Sequence, residues 1–337
     1  MFLFVNTPGT SINQKDFCFR LSNKEKFFDV SPEKVESIVI TNKAVVSTQS
    51  IVLALENNID LIFLDSYGDP VGRVWFAKMG STALIRRRQL EAEKNSIGTK
   101  LVIDLVTEKS NNQIRFLKKL MYSRPGKEEH FNHAIRVIEE IVLKIENFNN
   151  TLKEKRNSIM GYEGSAGRAY FQCISKIMPE KYQFSGRSRR PAKDPFNAVL
   201  NYCLGVLYSR VEKACIVSGL DPYIGFLHTD NYNKKSLVFD LIEPFRIYAE
   251  QTAVYLFTGK KMKESFFDIS ENAVSLNQKG KPVILEAFNN HLEESVRYKK
   301  KNVKRRYIIQ HEAHKMANIL LADDEEKRPE WLEIKEF

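Results

Sequence analysis

The hydrophobic periodicity of this chain changes once, near residue 80, and the change separates two kinds of structure. Before it, residues 1–5, 17–21, 37–40, 59–63 and 71–76 are short runs rich in β-branched and aromatic side chains, as strands are. Pro8-Gly9, Ser22-Asn23, Thr41-Asn42 and Gly68-Asp69-Pro70 supply turn chemistry between them. One helix is expected among the strands. Ser47 or Thr48 is its cap, Ile51, Leu53, Ala54 and Leu55 are its apolar positions, and Asn57-Asn58 stops it. After residue 84, apolar residues recur at three- and four-residue spacing over 97–120, 132–145, 196–217 and 237–257, and a last helix ends near Ile319-Leu320-Leu321. The pattern predicts an α+β chain: a small N-terminal β-rich domain over 1–80, a linker over 81–90, and a larger all-α domain over 91–337 that holds any catalytic site.

Charge narrows the function. The chain of 337 residues carries 52 Lys and Arg against 42 Asp and Glu, a net +10, which favours a polyanionic partner. Cys18, Cys173, Cys203 and Cys215 lie far apart with no CxxC pair, so a zinc knuckle is not expected. The N-terminus reads as a strand and lacks the basic start and apolar core of a signal peptide. No apolar run reaches membrane-spanning length. Free thiols in a cytoplasmic protein are the expectation. No phosphate-binding glycine loop and no GxSxG sequence occurs, which argues against a P-loop ATPase or an α/β-hydrolase.

Three islands carry ionisable side chains among small or apolar residues: Gly161-Tyr162-Glu163-Gly164-Ser165, Gly225-Phe226-Leu227-His228-Thr229-Asp230 and Asp240-Leu241-Ile242-Glu243-Pro244-Phe245-Arg246. Glu163 stands at the expected start of a packed helix, where a carboxylate also serves the helix dipole. The small residues around it permit close approach of backbone or substrate. His228 is either a hydrogen-bonded core residue or a ligand oriented by Thr229 and Asp230. Asp240 and Glu243 are three apart and share a helix face, although Pro244 disfavours a helical Glu243 and kinks or restarts the helix. Acids in so apolar a segment need a cation, either a metal or Arg246. If the islands converge, Glu163, His228 and Glu243 form a two-carboxylate, one-imidazole set suited to Mg²⁺ or Mn²⁺. Asp65 and Asp69 read as turn formers. The pairs His311/His314 and His130/His133 have the wrong spacing for a zinc-protease site.

Basic clusters complete the pattern. Arg187, Arg189 and Arg190 fall in a Gly/Pro-bounded loop, and Arg297, Lys299, Lys300, Lys301, Lys304, Arg305 and Arg306 lie within ten residues. Mutually repelling charges of this density gain most from a polyanion and favour phosphate binding, and they suggest no base-specific reading. Arg86-Arg87-Arg88 is a weaker third cluster.

The strings Tyr162-Glu163-Gly164 with Arg168-Ala169-Tyr170-Phe171, then Asp194-Pro195-Phe196-Asn197-Ala198-Val199-Leu200-Asn201-Tyr202, then Gly219-Leu220-Asp221-Pro222-Tyr223-Ile224-Gly225-Phe226-Leu227-His228, and last Ser236-Leu237-Val238-Phe239-Asp240-Leu241-Ile242-Glu243-Pro244-Phe245-Arg246 resemble the CRISPR-associated adaptation integrase. That family is a metal-dependent DNA endonuclease of antiviral defence. The likeness extends to Ile59-Asp60-Leu61-Ile62-Phe63-Leu64-Asp65 and Gly68. It implies an N-terminal β domain, a helical catalytic domain, and Glu163, His228 and Glu243 as metal ligands, with Asp240 as an accessory acid. It also implies a homodimer working with a small ferredoxin-like second adaptation protein. The activity implied is insertion of short DNA fragments into a CRISPR array, with a 3′-hydroxyl attacking a phosphodiester. A proton-transfer role for His228 remains open at the level of sequence. The competing readings are a stand-alone metal-dependent nuclease on branched or single-stranded DNA, and a non-catalytic DNA-binding scaffold.

Overall fold

A computed structural model of the chain describes residues 2–23, 26–41, 43–57, 59–65, 70–74, 83–148, 152–228 and 234–322. The β-rich start followed by a mostly helical remainder agrees with the predicted fold class. The chain divides into two compact units. One comprises residues 1–79, 189–209 and 262–286, and the other comprises 80–188, 210–261 and 287–337. The first unit thus takes in two later segments that the sequence reading placed in the helical domain.

In the first unit, β1 (Phe2–Val5), β5 (Ser37–Ile40), β7 (Asp60–Leu64) and β8 (Pro70–Val74) form a sheet in the order β1-β5-β7-β8. The first three strands run parallel and β8 is antiparallel. A second sheet has the order β4-β3-β2-β6, from β2 (Thr10–Lys15), β3 (Cys18–Ser22), β4 (Phe27–Val30) and β6 (Ala44–Val46). Leu3, Ile12, Phe19, Leu21, Ile38, Leu61 and, from α1 (Thr48–Glu56), Leu53 and Ala54 belong to one buried cluster. Ile12 and Phe19 are fully buried, which contributes roughly 2–3 kcal/mol each. Ser47, not Thr48, caps α1: its hydroxyl accepts from the Ser50 amide at 3.3 Å.

Strands β2, β4 and β6 escape the sequence reading. β2 reads Thr-Ser-Ile-Asn-Gln-Lys, and only Thr10 and Ile12 of it are buried. Phe17, expected to begin a strand, instead forms the β2–β3 turn with Asp16. Their φ angles are 56° and 49°, the geometry of a two-residue hairpin turn, and Phe17 is exposed. The turn expected at Gly68-Asp69 lies outside the described residues.

The second unit is built on α2 (Ala83–Ala92), α3 (Ser96–Tyr122), α4 (Glu128–Glu146), α5 (Leu152–Ile177), α7 (Ser236–Leu241), α8 (Arg246–Thr258) and α10 (Arg305–Leu321). The division between units falls within α6 (Pro195–Val217) and α9 (Gly280–Glu293). Three expectations change here. Described residues 83–90 of the proposed linker are helical. The single helix expected over 237–257 breaks at Ile242, with a 3₁₀ turn over Glu243–Phe245 before α8, because Pro244 lacks the amide hydrogen a continuous helix needs. The basic run 297–306 contributes to a two-stranded hairpin, Ser295–Tyr298 and Lys301–Lys304, turned by Lys299 and Lys300 at φ 47° and 66°, so the domain expected to be all-α is not. No described helix is long and apolar enough to cross a membrane.

Candidate active site

Glu163 lies in the middle of α5, not in its first turn; the helix begins eleven residues earlier, over a segment (152–160) too polar to show in the apolar pattern. The glycines around it are not seats for another described backbone segment. Among the described residues, a Cβ built on Gly161, Gly164 or Gly167 meets nothing within 4 Å. Glu243 is the opposite case: its side chain is 1% exposed. As first residue of the 3₁₀ turn it is held on α3 through Asn112, whose Nδ2 donates to the Pro244 carbonyl at 3.0 Å.

The two acids share a cation that the sequence reading missed. Lys109, from α3, places its ammonium against Glu163 Oε1 and 2.6 Å from Glu243 Oε2. The other Glu243 oxygen is taken by Arg246, with Nε at 2.8 Å and a terminal nitrogen at 2.7 Å. The salt bridge expected as an alternative to a metal role is therefore present, on one oxygen only. Burial pushes the Glu243 carboxyl up, but Arg246 and Lys109 outweigh it and hold the pKa at about 2. Burial likewise opposes charge on Lys109, and Glu243 and Glu163 overcome it, so the ammonium is held charged.

His228 is positioned by Asp240, not by its sequence neighbours Thr229 and Asp230, which lie outside the described residues. Asp240 is 1% exposed and accepts from the amides of Phe226, Leu227 and His228 at 2.6, 3.0 and 3.1 Å. Its Oδ1 also meets His228 Nδ1 at 2.6 Å. With Nδ1 donating to a carboxylate, Nε2 is the nitrogen that a neutral ring leaves available. His228 is a lesser influence on the Glu243 carboxyl, lowering it after Arg246 and Lys109.

The loop that carries His228 is clamped from several sides. Gln89 of α2 is fully buried; it accepts from the Asp221 amide at 2.8 Å and donates to the carbonyls of Asp221 and Ile224 at 3.1 and 3.2 Å. Arg156 donates to the Phe226 carbonyl at 2.8 Å. Gly225 lets the loop meet the start of α7, since a Cβ there would sit 2.6 Å from Ser236 Cβ and 2.7 Å from its carbonyl carbon. The supposed linker is thus part of what positions the histidine.

Among the described residues no trio of His, Cys, Asp or Glu is arranged to grip an ion as it stands. The residues nonetheless suit one by chemistry. Two carboxylates from different elements converge on a single positive charge, and the buried Glu243 Oε2 has no partner other than Lys109 among the described residues. Oxygen donors with one imidazole nearby match Mg²⁺ or Mn²⁺.

The basic residues separate into two groups. Arg189 and Arg190 are exposed in the expected loop, Arg187 is half-buried with its guanidinium 6.0 Å from the Phe171 ring, and Lys299, Lys300 and Lys301 are exposed at the hairpin. Lys304 and Arg306 instead pair with Glu293 at 2.9 and 3.0 Å. Arg305 is 7% exposed and bonds the His291 carbonyl and Glu294 at 2.8 and 2.6 Å, a structural part the sequence did not suggest.

Comparison with known proteins agrees with this architecture. A family model described as CRISPR associated protein Cas1 matches residues 3–290. A CRISPR-associated endonuclease Cas1 of Archaeoglobus fulgidus is 31% identical over 292 residues, covering 83% of this chain and 84% of the relative. A casposase bound to integration product has a similar fold, with a TM-score of 0.81 at 23% identity over 98% of this chain and 94% of that one. So does a Cas6-RT-Cas1–Cas2 complex, with a TM-score of 0.82 at 20% identity over 99% of this chain and 36% of that one. With the family model spanning most of its length and the Archaeoglobus protein aligned over most of both chains, this chain belongs to the Cas1 family of CRISPR-associated proteins.

Proposed function

We propose that this protein is a cytoplasmic, metal-dependent DNA integrase that joins the 3′-hydroxyl of a short DNA fragment to a phosphodiester of a CRISPR array. The observation that carries the reading is the convergence of Glu163 and Glu243 on one cation position; a histidine held by a buried carboxylate adds to it. In this reading Glu163, Glu243 and His228 Nε2 would hold Mg²⁺ or Mn²⁺. The ion would supply Lewis acidity at the phosphodiester and stabilisation of the charge that develops on oxygen. Asp240 keeps the His228 ring in one tautomer and orientation. Arg246 holds Glu243 through Oε1, so that Oε2 faces Lys109 and Glu163. Arg187, Arg189, Arg190 and Lys299–Lys301 bind backbone phosphates and hold the DNA in register, which makes the attack nearly unimolecular.

The casposase described as bound to integration product and the complex that contains Cas2 support the DNA substrate and a partner. We extend both to this chain as a homodimer assembled with a small ferredoxin-like second adaptation protein. The test supplies a 3′-hydroxyl fragment and a repeat-containing plasmid with Mn²⁺. Joined product is expected, and it is lost on chelation. Cutting without joining would favour the stand-alone nuclease, and activity indifferent to chelator would remove the metal from the mechanism.

A further inference from the structure

We propose that Lys109 is a built-in counter-ion of the Glu163–Glu243 carboxylate pair that must swing away for a divalent ion to enter. The inference rests on the metal-dependent reading above and adds a residue outside the three islands. Three features support it. The Lys109 ammonium contacts both acids at once, meeting Glu163 Oε1 and standing 2.6 Å from Glu243 Oε2. It meets Glu243 on the oxygen that Arg246 leaves alone. Beyond Lys109, buried Glu243 Oε2 has no other hydrogen-bond partner among the described residues.

A divalent ion takes carboxylate oxygens at about 2.0–2.6 Å. It therefore needs the lone pairs and the space that the ammonium holds, and two positive centres cannot share them. Lysine suits an exchangeable role, being a point charge on a flexible four-carbon stem. Arg246, bonding one oxygen through two nitrogens, is the fixed partner. Without either ion, two adjacent acids would repel each other. Lys109 removes that repulsion and keeps the pair assembled. Its cost is to metal affinity, because every ion that binds must displace it.

The test uses full-length, metal-stripped protein at pH 8 with Mn²⁺ alone. Calorimetric titration and thermal melting with and without Mn²⁺ compare wild type with Lys109→Met, which keeps most of the stem and removes the charge, and with Lys109→Gln. Both variants should melt lower than wild type without metal, bind Mn²⁺ at least about tenfold more tightly, and show a larger Mn²⁺-induced rise in Tm. A residue that merely supports the fold would lower the melting point without tightening Mn²⁺ binding, and unchanged or weaker affinity in the variants overturns the proposal. An independent reading on wild type avoids variants: amine acetylation followed by mass spectrometry should find Lys109 shielded without Mn²⁺ and labelled severalfold faster with it. Equal labelling in both states also overturns the exchange. If wild type takes up no Mn²⁺, or Glu163→Gln binds it as tightly as wild type, the metal reading itself fails and the exchange falls with it.

Discussion

Asp240 accepts hydrogen bonds from both the backbone amide and the ring Nδ1 of His228, at 3.1 and 2.6 Å. One buried carboxylate thus fixes the loop and the ring together. Asp240→Asn would turn an amide NH₂ towards donors that need an acceptor. The expected results are a destabilisation of about 1–3 kcal/mol and a loss of strand transfer of about 10–100-fold. Denaturant melts and joining assays measure the two effects. Wild-type joining in this variant would show that ring orientation is unimportant.

Glu163 and Glu243 should respond differently to removal. Glu163 has a side chain 21% exposed, and without it Lys109 still has Glu243. Glu163→Ala is expected to abolish joining with little change in melting. Glu243→Ala leaves the Lys109 and Arg246 charges, each 12% exposed, without their shared acid, at a cost on the order of 3–5 kcal/mol. Glu243→Gln is the fairer test of chemistry there. Similar melting of Glu163→Ala and Glu243→Ala would contradict the asymmetry. His228→Ala should also abolish joining while the fold persists.

Gly225→Ala puts a methyl group against the backbone and side chain of Ser236. We expect about 1–3 kcal/mol of destabilisation and a larger fall in joining than in stability, because the loop moves with His228 on it. A variant that melts and joins like wild type would mean that the loop has another way to pack.

Stability should fall in mild acid because of a histidine outside the site. Burial, then Arg305 and Lys119, push the His291 ring down to about 3 from 6.5. Its Nε2 lies 3.0 Å from Gln251 Oε1. The unfolded chain takes up a proton that the native ring refuses, so the stability this group confers declines as pH drops from about 6.5 towards 3. Between pH 8 and 5 the loss is about 2 kcal/mol. Glu243, depressed to about 2, costs stability only below about 4.5 and leaves that window untouched. Urea melts of His291→Gln across pH 5–8 should give a flatter profile. An identical slope would place the acid sensitivity elsewhere.

The chain's own order of residues settled much of this. The change of period near residue 80 located the β-rich start, and Pro244 announced the break before α8. Glu163, His228, Asp240 and Glu243 stood out because ionisable groups among small and apolar neighbours need partners. The same logic could not find Lys109 or Gln89. Each is one polar residue in an amphipathic helix, and neither shows by spacing that it reaches residues more than fifty positions away. Local pattern also missed β2, whose only buried residues are Thr10 and Ile12, because its pairing with β3 and β6 comes from the backbone. Sequence therefore determined which side chains are costly to bury, since burial cost belongs to the residue type. Only tertiary structure decided which partner answers each of them, since an ion pair depends on distances that chain folding sets.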